Sequence, residues 1–436
     1  MARRPRKPAA AIAEPVARRL DRALPGARGF TVRFWDGSVL EPAHASEPID
    51  STLVLRSPRA VAYAARQPNQ LGLGRAWAAG EIDVEGDLEQ TLLLRERFRD
   101  AHLGLADRLV ALWAAWRLGG LGLRAPEPPR AEARVQGRLH SLRRDRTSVR
   151  HHYDVPTDFY RLVLGPSMVY SCAYFSSPQA SLEQAQEHKL ELICRKLRLR
   201  PGERLLDIGC GWGSLVVHAA QRHGVRGVGV TLSEPQAEYA RAWIRQAGLA
   251  DRCEIRVSDY REVTDGPYDK VASVGMYEHV GRSQLDAYME SVRSLLRPGG
   301  LFMNHGIVRV VPSAANPKSF IARYVFPDGE LHPIAMVVDA MEKASLEVRD
   351  VHSLREHYAL TLRRWVANLE ANRQRALEIA GAERERIWRL YMTGSAQSFE
   401  AGEISVQQVL AAAPGATHDL PLAREELSLE AERSRV

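Results

Sequence analysis

Apolar runs of strand length alternate with segments of helical periodicity between residues 180 and 305. Strands separated by helices are typical of a parallel sheet that is covered on both faces. Ligands of such sheets bind over the carboxyl ends of the strands, so a site is expected just after each strand. The pattern predicts strands at 205–208, 228–232, 254–257, 270–274 and 301–305, and helices at 181–197, after 213, at 234–247 and at 283–296.

The first hundred residues have a different pattern, which predicts a small α+β unit ending near residue 100. Residues 1–12 are expected to be disordered, and apolar positions at helical spacing predict a short helix at 14–24. Alternation from Phe30, with a turn at Asp36-Gly37, predicts two strands. A further strand is expected at 51–55, a helix opening at residue 57, a strand or turn at 82–88 and a helix at 89–99.

The segment 102–123 is rich in Leu, Ala and Trp and is predicted to be a helix. The favoured interpretation is a core or interdomain packing helix. The alternative is an amphipathic helix that dips into a membrane interface, with Trp113 and Trp116 among the inserted side chains.

Charge is unevenly distributed over the 436 residues, whose formal net charge is +7. Residues 1–150 hold 26 Lys and Arg against 17 Asp and Glu, and the excess concentrates in 1–28 and 124–150. Such patches suit phosphate-bearing partners, either nucleic acid or an anionic membrane surface. A solvated tail and a solvated linker would have the same composition.

Four cysteines show no paired Cys-x-x-Cys spacing, so neither a zinc site nor a disulfide framework is predicted, and a reducing cytosol fits. No signal peptide and no apolar stretch long enough to span a bilayer is recognised. We expect a cytoplasmic protein that is soluble or peripheral to a membrane.

The apolar run that begins at Leu205 stops in the alternating glycines Gly209, Gly211 and Gly213, and this pattern predicts a tight turn between a buried strand and a helix. Glycine there lets a nucleotide-like ligand approach the main chain at a helix N-terminus. A dehydrogenase would place an acidic residue after the second strand, where this chain has Thr231-Leu232-Ser233, and NAD is therefore disfavoured. Glu278 and His305 also follow strands; either one alone would more often be a capping or packing residue.

Several ordered motifs resemble the cyclopropane fatty-acid synthase family, whose members are S-adenosylmethionine-dependent methyltransferases acting on unsaturated acyl chains of phospholipids. The resemblance runs from about residue 150 to 410, and residues 30–100 resemble more weakly the N-terminal domain of the longer members. The motifs are HYDV at 152–155, DFY at 158–160, GPSM at 165–168, YSCAYF at 170–175, LDIGCGWG at 206–213, GVTLS at 229–233 and GMYEHVG at 275–281.

This resemblance implies an α/β class I methyltransferase-like Rossmann domain, with a mostly parallel doubly wound sheet, and a smaller α+β N-terminal domain. The implied division is a basic tail and short helix at 1–28, a lipid-handling or assembly domain at 29–123, a basic linker at 124–149, the methyltransferase domain at 150–412 and a flexible tail at 413–436.

Site residues are carried over by the same motifs. S-adenosylmethionine is expected to contact Tyr170, Ser171, Asp207, Gly209, Gly211, Gly213, Thr231, Leu232, Gln236 and Tyr260. A bicarbonate ion, expected to act as the base, is assigned to Cys172, Glu278, His305, Ile307 and Tyr358, and no metal is expected. The pocket must be dry, because methyl transfer to an alkene leaves a carbocation that water would capture.

Two segments depart from the pattern common in cyclopropane synthases: NHGIV at 304–308 and VFPDGELHP at 325–333. They look closer to the actinobacterial branch that places a methylene on oleoyl chains, the precursor of 10-methylstearate. We therefore favour a 10-methylene product slightly over a cyclopropane ring.

The expected partners are a phospholipid membrane surface, at its cytoplasmic face, and unsaturated acyl chains. A homo-oligomer and a separate reductase are further expectations that the sequence leaves open. A nucleic-acid methyltransferase would share the sheet and the basic N-terminal third, but no Asn-Pro-Pro-Tyr motif is present, and no nucleic-acid partner is expected. A non-catalytic lipid-binding protein is disfavoured because the glycine turn and His305 are both present.

Overall fold

The computed structural model describes residues 7–24, 29–42, 50–99, 104–122, 124–153, 155–312, 316 and 318–428. The chain divides into two compact units. The first comprises Met1–Glu132 with two later segments, Lys318–Tyr324 and Ala380–Gly394. The second comprises Ala133–Pro317, Val325–Ile379 and Ser395–Val436.

Up to residue 132, the first unit contains a four-stranded sheet and five of the helices described. The sheet has the order β2-β1-β3-β4, in which β1 and β3 are parallel and the other pairs are antiparallel. In chain order its elements are α1 (Ala9–Ala23), β1 (Thr31–Arg33), β2 (Val39–Leu40), β3 (Ser51–Leu55), α2 (Pro58–Arg66), α3 (Gln70–Ala78), β4 (Ile82–Gly86), α4 (Leu88–Arg99) and α5 (Leu105–Arg117).

Helix α1 begins at Ala9, so the prediction of disorder through residue 12 is wrong from that residue onward; residues 1–6 lie outside the described part. The Asp36-Gly37 turn supplies the reason. Ala9 donates its backbone N–H to Asp36 Oδ2 at 2.7 Å, and Ala10 donates to Ser38 Oγ at 2.9 Å. These bonds satisfy N–H groups that a helix start leaves unpaired, through a contact that local periodicity does not reveal.

The second unit is built on a seven-stranded sheet of order β10-β11-β9-β8-β5-β6-β7. Strands β5 to β9 are mutually parallel, which confirms the doubly wound sheet, and β11 pairs antiparallel with both β9 and β10. Its first elements are α6 (Leu142–Tyr153), α7 (Thr157–Leu164), α8 (Leu182–Lys196), β5 (Arg204–Ile208), α9 (Ser214–His223), β6 (Arg226–Thr231), α10 (Glu234–Gln246), β7 (Cys253–Val257), β8 (Tyr268–Val274), α11 (Leu285–Leu295) and β9 (Leu296–Arg309).

The remaining elements lie C-terminal to the predicted ones. Helix α15 contains Gly381 at φ 77°, a non-helical conformation that divides it. These elements are α12 (Phe320–Tyr324), which belongs to the first unit, α13 (Ile334–Lys343), β10 (Glu347–Ser353), α14 (Arg355–Ala371), α15 (Arg373–Glu400) and β11 (Ile404–Ala412).

The predicted linker and the predicted flexible tail both contain helical residues. Helix α6 begins at Leu142, inside the segment 124–149 that was predicted to be a linker. Residues Arg424–Leu427 form a 3₁₀ turn within the predicted flexible tail, and Leu427 is buried in the apolar cluster that includes Leu190 and Leu205. Residues 429–436 lie outside the described part. Among the described helices, none is long and apolar enough to cross a bilayer.

Candidate active site

The turn that follows strand β5 requires glycine at three alternate positions. Gly209, Gly211 and Gly213 have φ angles of 79°, 54° and 85°, in the left-handed region that other L-residues avoid. Gly209 and Cys210 both donate their backbone N–H to the carbonyl of Val230, at 2.9 and 3.0 Å, which ties the turn to the end of β6.

The three glycines serve different purposes. A Cβ at Gly209 would lie 2.9 Å from Met276 Cγ, and a Cβ at Gly213 would lie 2.9 Å from Ala240 Cβ. Both positions therefore need glycine for packing. At Gly211 a Cβ would meet no atom of the described residues within 4 Å. Its main chain is consequently open to a ligand, next to the N-terminus of α9, where backbone N–H groups favour negative charge.

A cavity lies over the carboxyl ends of β5, β6 and β8 and is bordered by this turn. Of the ten residues predicted to bind the cofactor, nine line it. The tenth, Gly213, packs against Ala240 instead. The nine are Tyr170, Ser171, Asp207, Gly209, Gly211, Thr231, Leu232, Gln236 and Tyr260.

Side chains on the wall of this cavity are held in place by one another. Thr231 Oγ1 donates to Gln236 Oε1 at 2.8 Å, and the same hydroxyl accepts the Ser233 N–H at 3.2 Å. The Tyr260 ring packs edge-on against Tyr288, with centroids 5.0 Å apart. The cofactor would thus meet walls already fixed by hydrogen bonds and ring packing.

Lys189 is a cavity residue that the sequence reasoning missed. It belongs to α8, is 3% exposed, and donates from Nζ to Ser171 Oγ at 2.9 Å. Burial lowers the pKa of Lys189 to about 8 and raises the pKa of Asp207 to about 7, while the attraction between the two groups opposes both shifts. A lysine at a position that helical periodicity assigns to the buried face of α8 was the available signal.

Of the five residues assigned to an anion site, Ile307 is half-buried and the other four are buried. Hydrogen bonds join four of the five in two separate groups. On one side, the Ile307 N–H donates to Glu278 Oε1 at 2.7 Å, which joins Glu278 to strand β9. On the other, the carbonyl of Leu354 accepts from Cys172 Sγ at 3.7 Å and from the Tyr358 N–H at 3.1 Å. None of the five is among the residues lining the cofactor cavity.

Two polar atoms of this cluster have no hydrogen-bond partner among the described residues: Glu278 Oε2 and His305 Nε2. Burial raises the pKa of Glu278 to about 7 and holds the pKa of His305 well below its usual value. The Gln408 amide nitrogen lies 3.2 Å from His305 Nδ1, so a neutral ring keeps its proton on Nε2. Both unpartnered atoms can therefore donate hydrogen bonds, and this combination fits a small anion.

The segment 304–308 differs from the pattern common in cyclopropane synthases, and packing explains the glycine at position 306. A Cβ at this position would lie 2.0 Å from Cε1 of the Tyr277 ring and 3.3 Å from Glu278 Oε1. Tyr277 also donates from its hydroxyl to the Ile307 carbonyl at 2.5 Å. The ring thus occupies the space that a larger residue at 306 would need, beside the carboxyl group of Glu278.

Known structures place this fold and cavity in one class. The crystal structure of mycolic acid cyclopropane synthase CmaA1 complexed with SAH and CTAB matches with a TM-score of 0.58 and 33% identity, covering 61% of this chain and 98% of that one. The cyclopropane synthase MmaA2 from Mycobacterium tuberculosis matches with a TM-score of 0.59 and 32% identity, over 63% of this chain and 100% of that one. The protein is a class I S-adenosylmethionine-dependent methyltransferase, as the sequence motifs predict.

Sequence comparison identifies the family. Residues 140–409 match mycolic acid cyclopropane synthetase, and the chain belongs to this family. A probable fatty acid methyltransferase of Pseudomonas putida is 38% identical over 403 residues, which are 91% of this chain and 95% of that protein. A probable fatty acid methyltransferase of Mycobacterium tuberculosis is 40% identical over 402 residues, 89% of this chain and 92% of that protein.

Proposed function

We propose that this enzyme transfers the methyl group of S-adenosylmethionine to the cis double bond of an oleoyl-type acyl chain carried by a phospholipid. The observation that carries the proposal is the glycine-turn cavity in the same unit as a buried, neutral cluster of Glu278 and His305. The two relatives named as fatty acid methyltransferases support an acyl substrate. The enzyme is expected to work at the cytoplasmic face of a membrane.

The side chains around the cavity suit the cofactor. When bound, S-adenosylmethionine supplies an electrophilic methyl group on a sulfonium. Gly211 offers its open main chain, and Ser171, held by Lys189, offers a polar contact at the cavity wall. Thr231 and Gln236, bonded to each other, fix the wall beyond the end of β6.

Bicarbonate fits the second cluster, and we infer that it is the proton acceptor. In methyl transfer the π electrons of the double bond would form the new bond to the methyl carbon, and the electron pair of the broken carbon–sulfur bond would stay on sulfur. The other alkene carbon is left as a cation, and the acyl chain must then lose a proton. A base is required, and burial favours the neutral forms of Cys172, Glu278 and His305, so the proton is assigned to the bound anion. Glu278 donates through Oε2 only while it is protonated, because two bare anions would repel each other. Its partners for the anion are Cys172, His305, Ile307 and Tyr358.

A hydride shift before the proton is lost decides the product. Loss of a proton from the added methyl group without a shift closes a cyclopropane ring. If a hydride first moves from the methylated carbon to the cationic carbon, loss of a proton from the methyl group leaves a methylene. Many cyclopropane synthases have Leu-His-Thr-Ile-Gly at the segment 304–308, with threonine where this chain has Gly306. Here the Tyr277 ring packs against Gly306, beside Glu278. We favour the 10-methylene product on this basis, with a separate reductase completing a 10-methyl chain, and keep ring formation as the alternative.

Incubation with S-adenosylmethionine carrying a ¹³C-labelled methyl group and with dioleoyl phospholipid vesicles tests the proposal. We expect the label in the released acyl chains, where proton NMR separates vinylidene protons from cyclopropane protons that mass alone cannot distinguish. Ring protons would favour the alternative product. Label in RNA and none in lipid would contradict the acyl substrate altogether.

The Glu278→Gln substitution tests the protonated carboxyl group. An amide keeps an oxygen for the Ile307 N–H and an NH₂ group where Oε2 stands, but it does not titrate. Wild-type turnover should fall as the pH rises through the pKa of Glu278, about 7, because the donor becomes an anion. The Gln variant should lack this alkaline limb.

Turnover is measured for both proteins at saturating bicarbonate, from roughly one pH unit below the Glu278 pKa of about 7 to roughly two units above it. Asp207 and Lys189 titrate in the same range, with pKa values of about 7 and 8, so the difference between the two profiles isolates Glu278. Burial keeps Tyr277 and His305 neutral throughout, since it raises the pKa of Tyr277 and lowers that of His305. Two profiles of identical shape would rule out the protonated carboxyl group as the donor.

Helix α5 supports docking on a membrane surface. Its buried residues are Ala114 and Ala115, while its large apolar side chains are exposed. This exposure contradicts the favoured interpretation of the segment as a core or interdomain packing helix. Arg108 and Arg117 are exposed on the same helix and could meet anionic headgroups. The apolar positions recur at helical spacing: Leu105, Leu109, Leu112, Trp113 and Trp116 are between 47% and 80% exposed.

Replacing Leu109 and Trp116 together by serine should weaken binding to anionic phospholipid vesicles at least about tenfold, since burying each side chain is worth roughly 1.5–3 kcal/mol. Vesicle co-sedimentation measures the effect. Leu73→Ser is the matched control, because Leu73 is 53% exposed on α3. Unchanged vesicle binding by the double variant, with a change of oligomeric state instead, would assign the α5 face to self-association.

A further inference from the structure

A cluster of metal-ligating side chains lies on helices α8 and α9, away from both sites described above. The Cys194 thiol and one ring nitrogen each of His218 and His223 lie within 4.8 Å of one another. Cys194 is fully buried, while the side chains of His218 and His223 are 11% and 19% exposed. The group is thus mostly shielded from solvent and yet reachable from one side.

Glu191 contacts both histidines of this group. Its Oε2 atom lies 3.2 Å from His218 Nε2 and 3.0 Å from His223 Nε2. Its other oxygen, Oε1, accepts from Arg195 Nε at 2.8 Å, which fixes the carboxylate in this orientation. Two histidine rings therefore turn their Nε2 atoms toward one carboxylate oxygen, beside a buried thiol.

Helix geometry explains how these residues converge. Glu191 and Cys194 are three residues apart on α8, so they lie on the same face of that helix. His218 lies within α9, and His223 is its last residue, before the left-handed Gly224. The prediction of no zinc site rested on the lack of a Cys-x-x-Cys pair, and this cluster uses a single cysteine with ligands drawn from two helices.

We propose that Cys194, His218 and His223 bind a divalent transition metal ion of the zinc class, with Glu191 as the fourth group. One thiolate, two imidazoles and one carboxylate are donors that zinc accepts in tetrahedral sites. Thiolate and carboxylate together balance the charge of a divalent ion. Side chains that lie 3.0–3.2 Å apart before binding need to move little to surround an ion.

The role assigned to this ion is structural. Helix α9 starts at the glycine turn, and α8 carries Lys189, so a metal bond between them would join two helices that border the cofactor cavity. The cluster itself is not part of the cavity lining, and the ion would not touch the cofactor. Binding to the folded state alone would raise the free energy of unfolding according to the metal concentration.

Metal content and metal binding of the full chain test the proposal. The protein is purified without a polyhistidine tag, and its zinc is measured by plasma mass spectrometry and by titration against a chromophoric chelator. We expect close to one zinc per chain, a higher melting temperature with Zn²⁺ than with Mg²⁺, and a thiolate-to-metal charge-transfer band after Co²⁺ substitution.

The Cys194→Ser and His223→Ala variants should each lose the band and weaken zinc affinity at least about 100-fold. Cys253→Ser is the matched control, because Cys253 lies on β7 outside the cluster, and it should keep both. Failure of the wild-type protein to bind Zn²⁺, with no rise in melting temperature, would show that Glu191 and the two histidines form only a hydrogen-bonded network. A band that persists in Cys194→Ser would also overturn the assignment.

Discussion

The left-handed backbone at Gly209, Gly211 and Gly213 is the constraint on which the site depends. It turns the chain sharply from β5 into α9 and bonds the turn to the end of β6. Because Met276 and Ala240 pack where side chains at 209 and 213 would be, the turn is held from both sides. Only then does the main chain at Gly211 stay open toward the cavity.

A second constraint is the burial of ionisable side chains on and near strand β9. Glu278, His305 and Cys172 are withdrawn from solvent, and burial favours the neutral form of each. Neutral donors suit a small anion, and this is the basis on which we propose bicarbonate as the proton acceptor.

Most of the parallel sheet could be predicted from the sequence, because its strands are short apolar runs that end in glycine or polar residues. The nine cavity residues follow from the family resemblance, and two of them, Tyr170 and Ser171, precede the first strand of this sheet. Lys189 was missed because its role depends on which face of α8 is buried, and the β10–β11 edge was missed because its antiparallel pairing is non-local. The start of α1 depends in the same way on the distant Asp36 turn.

The alternatives left open for 102–123 show the limit of composition as a guide. Leucine and tryptophan at helical spacing suit a core and a membrane interface equally, and only exposure of the side chains of α5 separates the two. The same holds for metal ligands, since Cys194 and His218 are 24 residues apart along the chain and meet only when α8 packs on α9.

The central claim is that the glycine turn binds the cofactor, whereas His305 on strand β9 serves the chemistry and is not needed for cofactor binding. Calorimetric titration with S-adenosylmethionine tests this claim most directly. His305→Ala should bind the cofactor within about threefold of wild type, whereas Gly211→Val should bind at least about tenfold more weakly. Gly202→Val is the control for backbone strain, because Gly202 has φ 84° with no described atom within 4 Å of its Cβ position and does not line the cavity. Wild-type affinity in Gly211→Val, or loss of binding in a folded His305→Ala protein, would contradict this division.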